Sequence, residues 1–262
     1  MSKPVFTYWE GPVSWLERVC IASIQDAGHQ LTVYTADLHA LQNAGLGAPL
    51  ADVRDALPEA SVAYRYREQM LFSYFADIAR LALLRQGAGI WADADCLFLT
   101  PLSAPAEYIL GSTGRRKVNN AVLLMPHDSP ALREYFDAIT SEPMKMPWAT
   151  LRRRFLRYMA SLRSGGALQI THNSIGPRAL TYYVRKHRLW PHVSPPQRFY
   201  PVSPGEVACL IDPDDRAARA KVESGETQIV HTWHNSLGVL RALDSPPPPT
   251  SYLGQHRRRL GV

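Results

Sequence analysis

"GAGIWADADCLFLTPL", residues 87–102, places Asp93 and Asp95 on either side of a single alanine inside an otherwise apolar run. A glycine-bounded turn leading into Ile90, Trp91 and Ala92 reads as a buried strand, where two carboxylates are costly unless something compensates their charge. Immediately upstream, "REQMLFSYFADIARLALLRQG" (67–87) predicts an amphipathic helix. Leu71, Phe75, Ile78 and Ala82 fall on one face, flanked by Tyr74 and Leu81, and Gly87 ends it. Asp77 and Arg80 project from one side of this helix, three residues apart, a spacing that permits an ion pair.

The start of the chain sets the fold around that unit. "PVFTYW" (4–9) reads as a strand, "SWLERVCIASIQDAG" (14–28) as a helix with Leu16, Cys20 and Ile24 at steps of four, and "QLTVYT" (30–35) as a second strand. Strand, helix and strand within about thirty-five residues mark a βαβ unit and a largely parallel sheet. Further on, "NNAVLLMP" (119–126) predicts a buried strand, and "SPALREYFDAIT" (129–140) a helix with Ser129 as N-cap and Pro130 at its first position. Residues 150–163 predict a basic amphipathic helix with Leu151, Phe155, Met159 and Leu162 on its apolar stripe, and "TQIVHTWHNS" (227–236) a last strand running into a loop. The expected organisation is one α/β domain over 1–243, followed by 244–262 as an extended proline-rich segment and basic tail.

Composition excludes some classes. With 46% hydrophobic and 20% charged residues over 262 positions, the chain is long enough for a sizeable core and is not a disordered polymer. No run approaches the ~20 apolar residues of a membrane span, and the N-terminus lacks a signal-peptide pattern, so a cytoplasmic protein is expected. Cys20, Cys96 and Cys209 are odd in number and far apart, which gives neither a disulfide framework nor zinc spacing. A net charge of +6 favours anionic partners such as nucleotides, phospholipid head groups or nucleic acid.

Ligands of open parallel sheets collect at the carboxyl ends of the strands, and Asp93 and Asp95 stand at or just past such an end. Two residues apart on extended backbone, both side chains point to one side. Neighbouring carboxylates repel unless a cation lies between them, and hard oxygen ligands suit Mg²⁺ or Mn²⁺, which recruit phosphate oxygens in turn. An Asp-x-Asp triplet can equally be a turn or a solvated edge; here the apolar strand and the preceding Asp77 and Arg80 favour a metal site.

"FADIARLALLRQGAGIWADADCLFLTPL" (75–102) resembles the core of the DXD-containing sugar-binding glycosyltransferases, a group that includes capsular polysaccharide synthesis enzymes, Golgi mannosyltransferases and, more distantly, clostridial glucosylating toxins. Asp77, Arg80, Leu84, Gly89, Trp91, Asp93 and Asp95 occupy matching positions, whereas Ala76, Leu81, Ala88 and Trp91 depart from the usual serine, tyrosine, glycine and tyrosine. Weaker echoes occur in the right order: "YWEGP", "VNNAVLLMPHDSPAL", "SIGPRALT" and "IVHTWHNS". The resemblance implies a GT-A type, Rossmann-like fold with a mostly parallel central sheet flanked by helices. It also implies transfer of a sugar from a nucleoside diphosphate sugar to a hydroxyl with Mn²⁺ or Mg²⁺, and with retention of configuration.

By the same resemblance, Asp95 binds the metal and Asp93 the ribose, the metal or both, with His231 as third ligand and His234 as its rival. Asp77 and Arg80 would reach the donor sugar hydroxyls, Tyr8 and Trp9 would flank the nucleobase, and Asn119 or Asn120 would bond sugar hydroxyls. The acceptor expected is a bacterial surface polysaccharide or lipid-linked oligosaccharide, with peripheral membrane contact through the arginine-rich 151–163 stretch; a hydroxymethylated DNA base or a protein are alternatives. Two other classes use the same residues: a metal-dependent phosphohydrolase or nucleotidyltransferase, and a non-catalytic basic binding protein.

Overall fold

The computed structural model describes residues 3–102, 107–142, 144–152, 155, 159, 175–223 and 225–262. Nine strands are described: β1 (Val5–Tyr8), β2 (Leu31–Thr35), β3 (Leu50–Asp52), β4 (Ile90–Ala92), β5 (Cys96–Phe98), β6 (Ile109–Ser112), β7 (Val118–Leu124), β8 (Val193–Ser194) and β9 (Ile229–His231). Seven of them form one sheet in the order β3-β2-β1-β4-β7-β6-β8, while β5 and β9 pair separately. β7 runs antiparallel to both β4 and β6, and every other pairing in the large sheet is parallel. The expected mostly parallel α/β architecture is therefore present, with helices on the sheet and one reversed strand.

The βαβ reading at the N-terminus holds, with each element one or two residues shorter at one or both ends than the sequence suggests. Val5, Phe6, Thr7 and Tyr8 pair with Leu31 to Tyr34 in parallel register. The intervening Trp15–Asp26 helix buries Leu16, Cys20 and Ile24, and Gly28 turns the chain at φ +81°. From β1 the chain steps to β2 and β3 on one side, and later places β4 on the other. That reversal makes the carboxyl ends of β1 and β4 a topological switch point, the usual location of a crevice in such sheets.

Gly89 makes the close pairing of β1 and β4 possible. Its φ is +125°, and a Cβ there would fall 2.2 Å from the Pro4 carbonyl oxygen. The same carbonyl accepts the Ile90 N–H at 2.9 Å, so any side chain at 89 would push β4 off its neighbour.

Several expected elements differ. The single helix predicted over 67–87 is two, Tyr64–Glu68 and Phe72–Arg85, broken at Met70 with φ +59°; Leu71, assigned to the buried face, lies partly exposed at the break. Ser129 takes the N-cap position of the Pro130–Thr140 helix but makes no side-chain cap bond, its hydroxyl lying instead 3.3 Å from that of Tyr108. After β9 the chain forms a short helix, His234–Val239, where the sequence predicts a loop. Of the 151–163 stretch only Leu151, Arg152, Phe155 and Met159 are described; Leu151 and Phe155 are exposed and do not line a core, and the rest of that predicted helix, Leu162 included, lies outside the described residues.

The proline-rich end is not an extended tail throughout. Tyr252–Leu260 is a helix capped by Ser251, whose hydroxyl accepts the Gly254 N–H. Tyr252 and Leu253 are buried in a cluster with Trp15, Leu16 and Val19 of the first helix, and Arg259 pairs with Asp26 at 2.6 Å. Within this helix the His256 ring lies 4.9 Å from that of Tyr252, and its Nδ1 is buried without a hydrogen-bond partner among the described residues. Burial, reinforced by the charges of Arg259 and Arg219, pushes its pKa from 6.5 down to about 4. As pH falls through 6.5 the unfolded chain takes up this proton first, so stability is full above 6.5 and declines until pH reaches about 4. At ~1.4 kcal/mol per pKa unit, up to about 3 kcal/mol is expected to vanish across that window. Thermal unfolding against pH should show a shallower acid slope in His256→Phe than in the natural chain; parallel slopes would count against this role.

Candidate active site

The apolar run 87–102 is two strands in two sheets. β4 ends at Ala92, a turn closes with the Cys96 N–H donating to the Asp93 carbonyl at 3.0 Å, and β5 leaves to pair with β9. The two aspartates thus lie on a turn at the switch point and not on continuous extended backbone. Their side chains are placed by different partners, contrary to the strand-alternation expectation.

Asp93 belongs to a group built from the Phe72–Arg85 helix and β4. Its Oδ1 accepts from Arg80 Nη2 at 2.7 Å and from the Trp91 indole N–H at 2.6 Å. Arg80 is almost wholly buried, lies over the Trp91 ring at 4.5 Å, and donates through Nη1 to Asp77 Oδ1 at 3.1 Å. The same Asp77 oxygen accepts from Asn120 Nδ2 at 2.7 Å. Burial raises the Asp93 carboxyl, Arg80 opposes that rise, and the adjacent Asp95 adds to it. Asp77, Arg80, Asp93 and Asn120 are therefore one connected network, which the helical spacing of Asp77 and Arg80 only partly disclosed.

Asp95 is held from the opposite side by β9 and the residues just after it. The Thr232 N–H and hydroxyl both donate to the Asp95 carbonyl, at 2.9 and 2.8 Å. Trp233 adopts a left-handed conformation, φ +55° and ψ 63°, sparsely populated for a bulky residue. This turn directs the His234 N–H onto Asp95 Oδ2 at 2.8 Å, while His231 Nε2 approaches Oδ1 at 3.2 Å. Burial alone would raise the Asp95 carboxyl; His231 and the His234 N–H more than offset it and bring it to about 2. Its charge is therefore retained at neutral pH. The same contact pushes the His231 pKa up against the effect of burial.

The other expected site residues sit as follows. Tyr8 is buried against Phe75 with its hydroxyl on Glu10, whereas Trp9 is half-buried, with its ring 5.4 Å from that of His234. Asn119 bonds locally within its own strand, its Oδ1 accepting the Ala121 N–H at 2.8 Å, so of the two asparagines it is Asn120 whose side chain joins the network. Between the two histidines, the His231 ring faces Asp95; the His234 ring faces Glu17 instead, with Nδ1 2.6 Å from Oε1.

The sequence reading gives no site role to two participants, although the first lies in the "SIGPRALT" echo. Gly176 approaches the network so closely that a Cβ would lie 2.9 Å from Asp77 Oδ2 and 3.2 Å from Asn120 Nδ2. Glu17 is fully buried; its Oε2 accepts from the Ser14 N–H and hydroxyl at 2.8 and 2.7 Å, and its Oε1 holds His234. The only sequence signal for Glu17 is the Ser14-x-x-Glu17 spacing of a capping box, which says nothing of the distant histidine. Losing the cap and a buried hydrogen bond to a charged group should cost about 2–3 kcal/mol in Glu17→Ala. Urea unfolding measures this, and a loss under about 0.5 kcal/mol, the level of an ordinary surface substitution, would contradict the role given to Glu17.

A metal ion fits the donor set. The ligand atoms of Asp95, Cys96 and His231 lie within 4.8 Å of one another. His231 Nδ1 and Arg80 Nε are buried without hydrogen-bond partners among the described residues, an arrangement costing about 1–3 kcal/mol per group when nothing bound satisfies it. No helix among the described residues is long and apolar enough to cross a membrane.

Neither a protein-family model nor a curated protein matches the sequence. Among solved structures, the chain is similar to one named PaToxG Glycosyltransferase, with 13% identity and a TM-score of 0.49, over 99% of this chain and 84% of that one. A likeness at that level carries no functional conclusion, and the chemistry must be read from the residues of this chain.

Proposed function

We propose that the chain is a divalent-metal-dependent glycosyltransferase of GT-A type, using a nucleoside diphosphate sugar as donor. The observation that carries the reading is the turn after β4. It presents an ionised Asp95 beside the His231 imidazole at the switch point, next to Asp93 in its network with Arg80, Asp77 and Asn120. Carboxylate oxygens suit Mn²⁺ or Mg²⁺, and a neutral imidazole can join them on Mn²⁺.

Asp95 and His231 would hold the ion, with the His234 N–H and the Thr232 contacts fixing the carboxylate. When bound, such an ion neutralises the charge that develops on a leaving diphosphate. One oxygen of Asp93 is committed to Arg80 and Trp91, which leaves the other to face the donor ribose or the ion. Arg80 pairs with Asp77 and Asp93 and fixes both in place, so that Asp77 and Asn120 can bind sugar hydroxyls at a set geometry. Trp9 flanks the base. On the resemblance, transfer retains configuration and the acceptor is a surface polysaccharide or lipid-linked oligosaccharide. No carboxylate is assigned as a nucleophile.

Incubation with a panel of nucleotide sugars and Mn²⁺ tests the reading. Cation-dependent release of the nucleoside diphosphate from at least one donor is expected. Cleavage of generic phosphoesters with no donor turnover would instead identify a phosphohydrolase.

A further inference from the structure

Cys96 follows the second aspartate directly and stands opposite His231 in the antiparallel β5–β9 ribbon. Directly opposed residues of such a pair present their side chains to the same face, with Cβ atoms about 5 Å apart. Asp95, on the turn, brings its carboxylate to the same place, and all three ligand atoms lie within 4.8 Å of each other. The Cys96 thiol is fully buried, and its hydrogen bond to the Ala121 carbonyl is a long contact of 3.8 Å. Independently, His231 Nδ1 is buried and has no partner among the described residues.

A pair of aspartates alone offers oxygens and favours hard ions. Adding an imidazole and a thiolate changes the preference, because sulfur and nitrogen donors select Zn²⁺ and softer divalent ions. We infer that Asp95, His231 and Cys96 form a three-donor site for a thiophilic divalent ion, Zn²⁺ or Cd²⁺, overlapping the site that takes the hard ion. On binding, the Cys96 S–H proton leaves to solvent as the sulfur–metal bond forms, with no change of oxidation state. The inference rests on the proposed function only in treating Asp95 and His231 as metal ligands. Its consequence is that a soft ion occupies the centre in competition with Mn²⁺, which an all-oxygen centre would resist.

Titration of the full chain with Cd²⁺ alone, followed by the ultraviolet cadmium–thiolate charge-transfer band, tests this without any turnover. One thiolate band saturating at one ion per chain is expected. It should vanish in Cys96→Ala, persist in the Cys20→Ala, Cys209→Ala chain, weaken at least tenfold in apparent affinity in His231→Gln, and shrink when excess Mn²⁺ is added. No band, a band unchanged in Cys96→Ala or lost with Cys20 and Cys209, or indifference to Mn²⁺ would overturn the inference. The two claims fail separately. Mn²⁺-dependent donor turnover without the band would leave the transferase reading standing alone, and the band without turnover would leave only the soft-metal site.

Discussion

Asp95→Asn should abolish nearly all cation-dependent donor turnover, lowering it by about 10²–10³-fold, the range seen when one preorganised charge-stabilising group is removed. The substitution is close to isosteric. The amide oxygen of the introduced asparagine can still accept the His234 N–H, and the Thr232 bonds to the backbone carbonyl at this position do not involve the side chain. What disappears is the negative charge, which the His231 contact keeps available by holding the Asp95 carboxyl at about 2. The variant should therefore still fold, though less stably because a carboxyl held this low marks a charge the folded chain favours, while losing function. Equal turnover in a folded Asp95→Asn protein would remove Asp95 from the chemistry.

Arg80→Leu should act on stability first. Arg80 sits 5% exposed between two carboxylates, Asp77 at 15% and Asp93 at 27% side-chain exposure. Deleting one partner from a buried ion pair costs about 3–5 kcal/mol, because the remaining charges are left uncompensated. Partial exposure of Asp93 admits some water, which places the expected loss near the lower end, about 3 kcal/mol. For a chain of this size that corresponds to a fall of roughly 6–12 °C in melting temperature. Arg80→Lys should recover part of the loss, since charge is restored but the fork that reaches two carboxylates is not. A melting temperature within about 2 °C of the natural chain in Arg80→Leu would show that this network is not what holds the helix to the end of β4.

Both expectations depend on features of unequal visibility in the sequence. Local patterns are enough for β1, the Trp15–Asp26 helix and β2, because β-branched and aromatic runs, helical spacing and a terminal glycine all agree there. The strand before Asp93 is visible for the same reason. The break of the run into β4 and β5 is not, since Cys96, Leu97 and Phe98 are as apolar as Ile90 and Trp91, and only the pairing with β9 separates them. Asp77 and Arg80 announce an ion pair by spacing alone, but the reach of Arg80 to Asp93 spans thirteen residues and depends on how the helix packs over Trp91. His231 and His234 are indistinguishable in "HTWHN". The left-handed turn at Trp233 separates them, turning one imidazole to Asp95 and the other to Glu17. The C-terminal helix is hidden behind four prolines, although Ser251 before a run of helix-forming residues is an ordinary N-cap signal.

If the acidic turn after β4 works as a cation-and-diphosphate centre, the binding of cation and diphosphate must be coupled through Asp95. Calorimetric titration of a nucleoside diphosphate, with and without Mn²⁺, into the natural chain and into Asp95→Asn measures that coupling. Mn²⁺ should tighten diphosphate binding at least tenfold in the natural chain and have no such effect in the folded variant. Binding that is equally strong without the cation, or a cation effect that survives intact in Asp95→Asn, would contradict this assignment.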